Sequence, residues 1–219
     1  MITLGLEAST YAGTVAVVRD GLLLSARETA MRGEREERLM PAVAGALADA
    51  GIAPNAIDRV VCGAGPGSFT SLRIAGAIAK GLALAAGVPL IPVSSLLLIV
   101  AGAEPQLAPG RYVAVLDAMR GDVFTAVFAV TDSSISTESP TTIVPRGLLD
   151  AFAHQHAARA IGPAETTAVS PHARGISVLG HRVPWPAPAD LATWEPEYGR
   201  LAEAQVRWEA AHGRALVPR

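Results

Sequence analysis

Two acidic residues lie where they could help to bind phosphate groups. Glu7 ends one predicted strand and Asp117 ends another, and each is followed by a turn and a further predicted strand. This shared design indicates a weak internal duplication. Acids at the ends of two such strands suit a cleft between related halves that clamps phosphates. Alternatively, Glu7 and Asp117 are turn residues that are exposed to solvent and bind nothing.

A glycine-rich segment, residues 63–68, joins a predicted strand at 59–62 to a long predicted helix at about 70–86. A Walker A loop requires Gly-Lys-Ser/Thr, and this segment contains no lysine, so a P-loop is excluded. The Rossmann pattern is half met, because its third glycine is a serine here. The acid expected about 20 residues later is absent from residues 76–102. The loop therefore matches neither common nucleotide motif.

Metal and nucleophile chemistry have weaker support. The single cysteine, Cys62, lies in a predicted strand, which excludes a cysteine cluster and an internal disulfide and favours a reducing compartment. The five histidines lack convincing ligand spacing and are predicted to be surface residues. We therefore predict no metal site.

The composition limits the classes of function. The chain has 219 residues, half of them hydrophobic, and a net charge of −2 with scattered basic residues. Such a chain can bury a substantial core but has no basic stripe for binding nucleic acid unaided. The sequence shows no leader and no uninterrupted membrane span, so a cytoplasmic location is expected. Residues 216–219 look like the remnant of a cleavable tag.

The first 101 residues are predicted to form one subdomain with the order β-β-β-α-β-α-β-α. Asp20-Gly21 is a strong two-residue hairpin signal between the second and third strands. A helix is predicted at about 34–50, followed by the strand, the glycine loop and the helix at about 70–86. A strand at 90–93 and a short helix at 95–101 complete this half.

The second half repeats the pattern less regularly. A proline- and glycine-rich stretch marks the start of a smaller subdomain, predicted at 102–197. It contains a polar segment at 131–142, predicted as a loop, and a helix near 146–156. A last helix, predicted at 198–215, is expected to pack back on the first subdomain. The fold class is therefore α/β, with two related subdomains whose mixed sheets are flanked by helices.

The helix at about 70–86 is unusually apolar. Its only charges are Arg73 and Lys80, which are seven residues apart and therefore share one face. A helix that is apolar nearly all round needs cover on more than one side. A sheet can supply one cover. The second is either a neighbouring helix of the same chain or another subunit.

The glycine-loop sequence, residues 65–73 (GPGSFTSLR), resembles the TsaB (YeaZ) family. Residues 8–10 (AST), 92–96 (PVSSL) and 117–124 (DAMRGDVF) support the resemblance, which is good over residues 2–130 and looser beyond. It implies an actin/Hsp70/sugar-kinase type fold. The chain departs from the family pattern at Glu7, where aspartate is usual.

The resemblance implies a non-catalytic role in forming N6-threonylcarbamoyladenosine at position 37 of tRNA. Such a chain docks on a metal-bearing TsaD-like transferase, works with a TsaE-like ATPase, meets tRNA only through the complex, and forms a homodimer when alone. The two helices of the first subdomain would form the interface, with ATP or ADP as a possible ligand there. Interface candidates are Leu39, Val43, Leu47, Leu72, Arg73, Ile74 and Ile78.

The same resemblance bears on catalysis. Metal-binding histidines of TsaD-like chains correspond to Ser94, Ser95 and Ile99 here, so no ligand is retained. The resemblance then implies an ancestral phosphate cleft without its metal, made by Glu7, Ser9, Thr10 and Asp117. Two other classes stay open: an ATP-dependent phosphotransferase of the sugar-kinase type, with Glu7 and Asp117 around Mg-ATP, and a protease.

Overall fold

The computed structural model describes residues 1–33, 36–199 and 211–213, which form two five-stranded sheets. The first sheet contains β1 (Ile2–Glu7), β2 (Ala12–Arg19), β3 (Leu22–Ala30), β4 (Arg59–Gly63) and β5 (Leu90–Val93). The second contains β6 (Gly110–Asp117), β7 (Asp122–Val130), β8 (Ile135–Pro145), β9 (Arg159–Gly162) and β10 (Thr167–Ala168).

The two sheets have the same topology. Their strand orders are β3-β2-β1-β4-β5 and β8-β7-β6-β9-β10. In each sheet the first three strands of the half are antiparallel, and the remaining two run parallel to the first strand. This equivalence confirms both the internal duplication and the actin/Hsp70/sugar-kinase type fold expected from the sequence.

Four α-helices cover the sheets: α1 (Leu39–Asp49), α2 (Phe69–Ala86), α3 (Ser95–Ala101) and α4 (Leu149–Gln155). Helices α1 and α2 lie on one face of the first sheet, where their buried side chains share a core with β1, β2 and β4. Helix α4 packs on the outer face of the second sheet. Helix α3 lies between the sheets.

Helix α3 is the centre of the largest core. Leu96, Leu98 and Ile99 are completely buried. They belong to one cluster that contains Val61 of the first sheet and Phe128 of the second. A helix that is apolar on every side is expected in such a place, because both of its faces are covered.

Local sequence signals explain two boundaries in the first half. Asp20 and Gly21 both have positive φ, 49° and 83°, as the predicted hairpin turn requires. Helix α1 begins at Leu39 rather than near residue 34, because the Glu37 carboxylate accepts the N–H of Met40 at 3.1 Å and so caps the first turn. Pro41 lies in that first turn, where its missing N–H costs nothing.

The second half differs from the prediction at one main point. The polar segment 131–142 is not a loop throughout, because β8 begins at Ile135 and pairs with β7. An edge strand tolerates polar residues on its exposed positions, so its sequence lacks the apolar alternation that would identify it. The predicted helix near 146–156 is present as a 3-10 turn, Arg146–Leu148, followed by α4.

The chain returns to the first sheet well before residue 197. A 3-10 turn, Ala173–Val178, packs against β2, and the Ala189 N–H donates to the Leu90 carbonyl at 2.8 Å. We call residues 189–199 the C-terminal strap. Most of the helix predicted at 198–215, together with residues 216–219, lies outside the described residues.

Within the described residues, α2 alone has the length and apolar composition of a membrane-spanning helix. Core helices of globular proteins share this property. Here Ala75, Ala79 and Ala83 of α2 are fully buried against the first sheet.

Candidate functional site: a closed acidic cleft and an exposed pair of helices

Glu7 is the centre of a buried hydrogen-bond network. Its side chain is 1% exposed, and its carboxylate accepts the Ser9 N–H at 2.5 Å and the Ser95 hydroxyl at 2.8 Å. The Ser95 oxygen in turn accepts the Gly65 N–H at 3.1 Å. The network therefore connects the end of β1, the glycine loop and the first residue of α3.

The glycines of the loop accommodate the chain's own atoms. A Cβ on Gly63 would overlap Oε2 of Glu7, and a Cβ on Gly67 would overlap the Ser9 carbonyl. The Ser9 carbonyl also accepts the Ser68 N–H at 2.7 Å. The loop thus closes on the turn after β1 instead of leaving the acid open.

Burial controls the ionisation of this network. The loss of solvent raises the pKa of Glu7 above its ordinary value of 4.5, although hydrogen bonds from Ser9 and Ser95 oppose the shift. Burial, together with the nearby Glu7 charge, also raises the pKa of the Cys62 thiol. Cys62 is therefore held as an unreactive thiol.

The raised pKa of Glu7 predicts a pH-dependent contribution to stability. Below about pH 4.5 the carboxyl is protonated in both the folded and unfolded chain, so its contribution is fully present; it is lost as the pH rises through the folded-state pKa. In Glu7→Gln the side chain cannot ionise, so this pH-dependent loss of stability is absent. We therefore expect the free energy of unfolding of the variant, measured by urea denaturation, to increase relative to that of the wild type as the pH rises. A difference that does not change with pH would contradict the prediction.

The other predicted members of the phosphate cleft are placed differently. The Thr10 hydroxyl forms hydrogen bonds with the backbone of Ala12: it donates to the carbonyl and accepts the N–H, each at 3.2 Å. Asp117 is exposed and accepts the Met119 N–H at 2.8 Å. Among the described residues, hydrogen bonds join Glu7 to Ser9 but not to Thr10 or Asp117. Their assignment to a vestigial cleft stays a prediction.

The described part of the chain contains no group of three or more histidine, cysteine, aspartate or glutamate side chains placed to hold a metal ion. The resemblance matches three positions to metal ligands of TsaD-like chains. One of them, Ser95, is hydrogen-bonded to Glu7. Ile99 is buried in the core between the sheets.

Helix α2 exposes a long strip that is apolar except for Arg73. Arg73, Ala77 and Gly81 are exposed at four-residue intervals, and Leu84 is 74% exposed beside them. Helix α1, on the same face of the sheet, exposes Met40. We call this surface the two-helix face; its residues are Met40, Ala44 and Ala48 of α1 and Arg73, Ile74, Ala77, Ile78, Gly81 and Leu84 of α2.

The structure divides the predicted interface residues into two groups. Leu39, Val43, Leu47 and Leu72 are between 0% and 4% exposed. They pack within the chain's own core, so their side chains are not available on the surface, and this part of the assignment is corrected. Arg73 is exposed, and Ile74 and Ile78 are half-buried. Their contact with a partner stays a prediction.

The C-terminal strap supplies a second cover for α2. Pro196 is buried over Gly76, where an added Cβ would lie 3.0 Å from its Cγ. The Lys80 ammonium lies 5.9 Å from the centroid of the Trp194 ring, and the tilted rings of Tyr198 and Phe69 are in contact, with their centroids 4.5 Å apart. One of the two charges of α2 is therefore turned towards the strap. No sequence signal indicated that this segment would lie there.

Sequence reasoning singled out Gly81 as a small residue that would let another backbone approach α2, but it missed Ala77 and Leu84. The signal was present as periodicity, because buried positions recur at residues 72, 75, 76, 79 and 83. Such spacing leaves the opposite side of the helix exposed. Because that opposite side is also largely apolar, the sequence did not show which side of the helix is buried and which is exposed.

Sequence comparison supports the resemblance noted above. The family model for TsaD, tRNA N6-adenosine threonylcarbamoyltransferase, matches residues 29–163. The chain is 36% identical over 135 residues to an Escherichia coli (strain K12) protein named tRNA threonylcarbamoyladenosine biosynthesis protein TsaB. That match covers 62% of this chain, which spans only 58% of the relative's length.

A Bacillus subtilis (strain 168) protein of the same name matches more of the chain. It is 28% identical over 234 residues, which cover 95% of this chain and 98% of the relative. A solved Pseudomonas aeruginosa structure, described as an uncharacterized protein with similarity to peptidase YEAZ, superposes with a TM-score of 0.73. It is 22% identical and the superposition covers 91% of this chain and 99% of the other, which shows the same fold. On the matched residues, the relatives and the fold together, the chain belongs to the TsaB (YeaZ) family, within the wider family described by the TsaD model.

Proposed function

We propose that this chain is a non-catalytic partner subunit required for N6-threonylcarbamoyladenosine formation in tRNA. Two curated relatives are named for that biosynthesis, and the matching family model is that of the transferase. The observation that supports a docking role is the two-helix face, which is apolar apart from Arg73 and largely exposed although it flanks a well-formed core. Surfaces of this kind mark sites of protein association.

The proposed partner is a TsaD-like transferase, with its own related helices against the two-helix face. Small residues such as Ala77 and Gly81 allow another helix to approach closely. A second copy of this chain would use the same face in the absence of the transferase. Nucleotide at the interface, a TsaE-like ATPase and contact with tRNA only through the complex belong to the same proposal.

Burial of Glu7 favours this proposal over the phosphotransferase alternative. A kinase of the sugar-kinase type would need this acid open to Mg-ATP, whereas its two oxygens are hydrogen-bonded to Ser9 and Ser95. The alternative requires tight nucleotide binding by the isolated chain, which equilibrium dialysis with ATP can measure.

Reconstitution tests the proposed function directly. Threonylcarbamoyl transfer to tRNA is assayed with the cognate transferase, the TsaE-like ATPase and the adenylate-forming enzyme, with this chain present or omitted. The proposal expects modification only when the chain is present. Equal modification without it would refute the partner role.

A further inference from the structure

A cavity of about 220 Å³ lies at the opposite end of β1 from Glu7. It is formed between the β2–β3 turn, the starts of β1 and β4, and the segment that follows the 3-10 turn at Ala173–Val178. Its apolar lining includes Val18, Ile176 and Leu179, which are at most 3% exposed. The inner part of the cavity is therefore a preformed apolar surface.

One cation on the cavity wall, Arg59, has no hydrogen-bond partner for its side chain among the described residues. The Arg59 guanidinium lies over the Trp185 ring, 4.1 Å from the centroid. Stacking uses the flat face of a guanidinium and leaves the N–H donors at its edge available. Within the part of the chain that the structure describes, no carboxylate pairs with Arg59 and no hydrogen bond uses its side chain.

The remaining polar groups of the wall do not neutralise Arg59. The Asp20 carboxylate is exposed and pairs with the Met1 amino group at 2.6 Å. The His181 imidazole lies against Gly21, where an added Cβ would be 2.6 Å from its Nε2. The cavity thus combines an apolar interior with one guanidinium that lies over a tryptophan ring and, among the described residues, has no carboxylate partner.

We propose that this cavity binds a small organic carboxylate. The carboxylate would pair with Arg59, whose planar donors match two oxygens of one carboxylate. A branched aliphatic body would lie against Val18, Ile176 and Leu179. One guanidinium with two parallel N–H donors, next to an apolar interior, suits a monocarboxylate. Inorganic phosphate fits less well, because it is surrounded by donors in its binding sites.

Binding can be tested on the full chain with a matched pair of probes, N-acetyl-leucine and N-acetyl-leucinamide, which differ in the charge of one group. Titrations are followed by NMR through the indole N–H of Trp185. The acid is expected to shift this resonance saturably, and the amide should bind at least about tenfold more weakly because it lacks the charge-assisted pair. A parallel titration with 4-methylpentanoate distinguishes a peptide-like terminus from a free acid.

Substitutions at Arg59 provide the second arm. Arg59→Gln is expected to weaken the binding of N-acetyl-leucine at least about tenfold. Arg59→Lys keeps the positive charge but loses the two parallel N–H donors of the guanidinium, so it should bind with intermediate affinity. Arg19→Gln is the matched control, because Arg19 is exposed nearby and does not line the cavity. The control should bind as the wild type does, and thermal melts establish that each variant is folded.

Four results would overturn the proposal. These are the absence of a saturable shift with N-acetyl-leucine or 4-methylpentanoate, equal binding of acid and amide, full binding by folded Arg59→Gln, and inorganic phosphate binding at least as tightly as the carboxylates.

Discussion

Ala77→Glu should abolish the association of this chain with the proposed transferase partner and, with it, the proposed threonylcarbamoyl transfer to tRNA. Ala77 is exposed near the middle of the two-helix face. A carboxylate there would have to lose its water on docking, and the pair it can form with Arg73, four residues away on the same helix, offsets only about 0.5 kcal/mol of that cost. The change is therefore expected to weaken the complex at least about 100-fold. Analytical ultracentrifugation and the reconstituted transfer assay measure the two effects.

The fold itself should tolerate the change. A surface substitution in a helix alters the free energy of unfolding by no more than about 0.5 kcal/mol. The matched control is Ala151→Glu, an exposed helical alanine in α4 on the second sheet. It should associate and support transfer normally. Full activity of a folded Ala77→Glu chain would place the docking surface elsewhere.

Gly63→Ala should strongly destabilise the first subdomain. The added carbon would overlap Oε2 of Glu7 and approach the Ser95 hydroxyl at 3.3 Å. Since both groups are buried and hydrogen-bonded to each other, they cannot move without breaking the network. We expect a loss of roughly 3 kcal/mol in the free energy of unfolding, measured by urea denaturation.

Two comparisons isolate the cause. Gly81→Ala is a control in open space within α2 and should stabilise the chain by roughly 0.5–1 kcal/mol, the usual gain for glycine to alanine in a helix. In a Glu7→Ala background, Gly63→Ala should cost less than about 1 kcal/mol, because the clashing oxygen is gone. An equal cost in both backgrounds would show that the loss does not come from contact with Glu7.

The sequence predicted the parts of the fold that depend on local chemistry. The Asp20-Gly21 turn needs two positive φ angles, and that pair of residues provides them. Helix α2 was located to within a residue at its start, because a glycine loop precedes it and Gly87, with a φ of 65°, ends it. Strand β8 was missed because its polar residues lie on a sheet edge, where burial imposes no pattern.

The site depended on long-range contacts that local patterns do not encode. Glu7 was placed correctly at a strand end, but one of the two groups that donate to its carboxylate, the Ser95 hydroxyl, is 88 residues later in the chain. Four interface candidates were chosen as apolar helix residues, and apolar composition alone does not distinguish a core position such as Val43 from an exposed one such as Leu84. Only the position of the sheet beneath the helices decides between them.

Helix α3 has a consequence for the way in which the two halves behave. It fills the core between both sheets and contributes Ser95 to the network at Glu7. If the halves rotated apart as lobes, apolar side chains of α3 such as Leu98 would lose their contacts with the second sheet and become exposed to water. Each half has a cluster of its own, but the largest cluster belongs to both. The duplicated lobes, which in a kinase would open and close around a substrate, are joined here by a shared core that opposes such a motion.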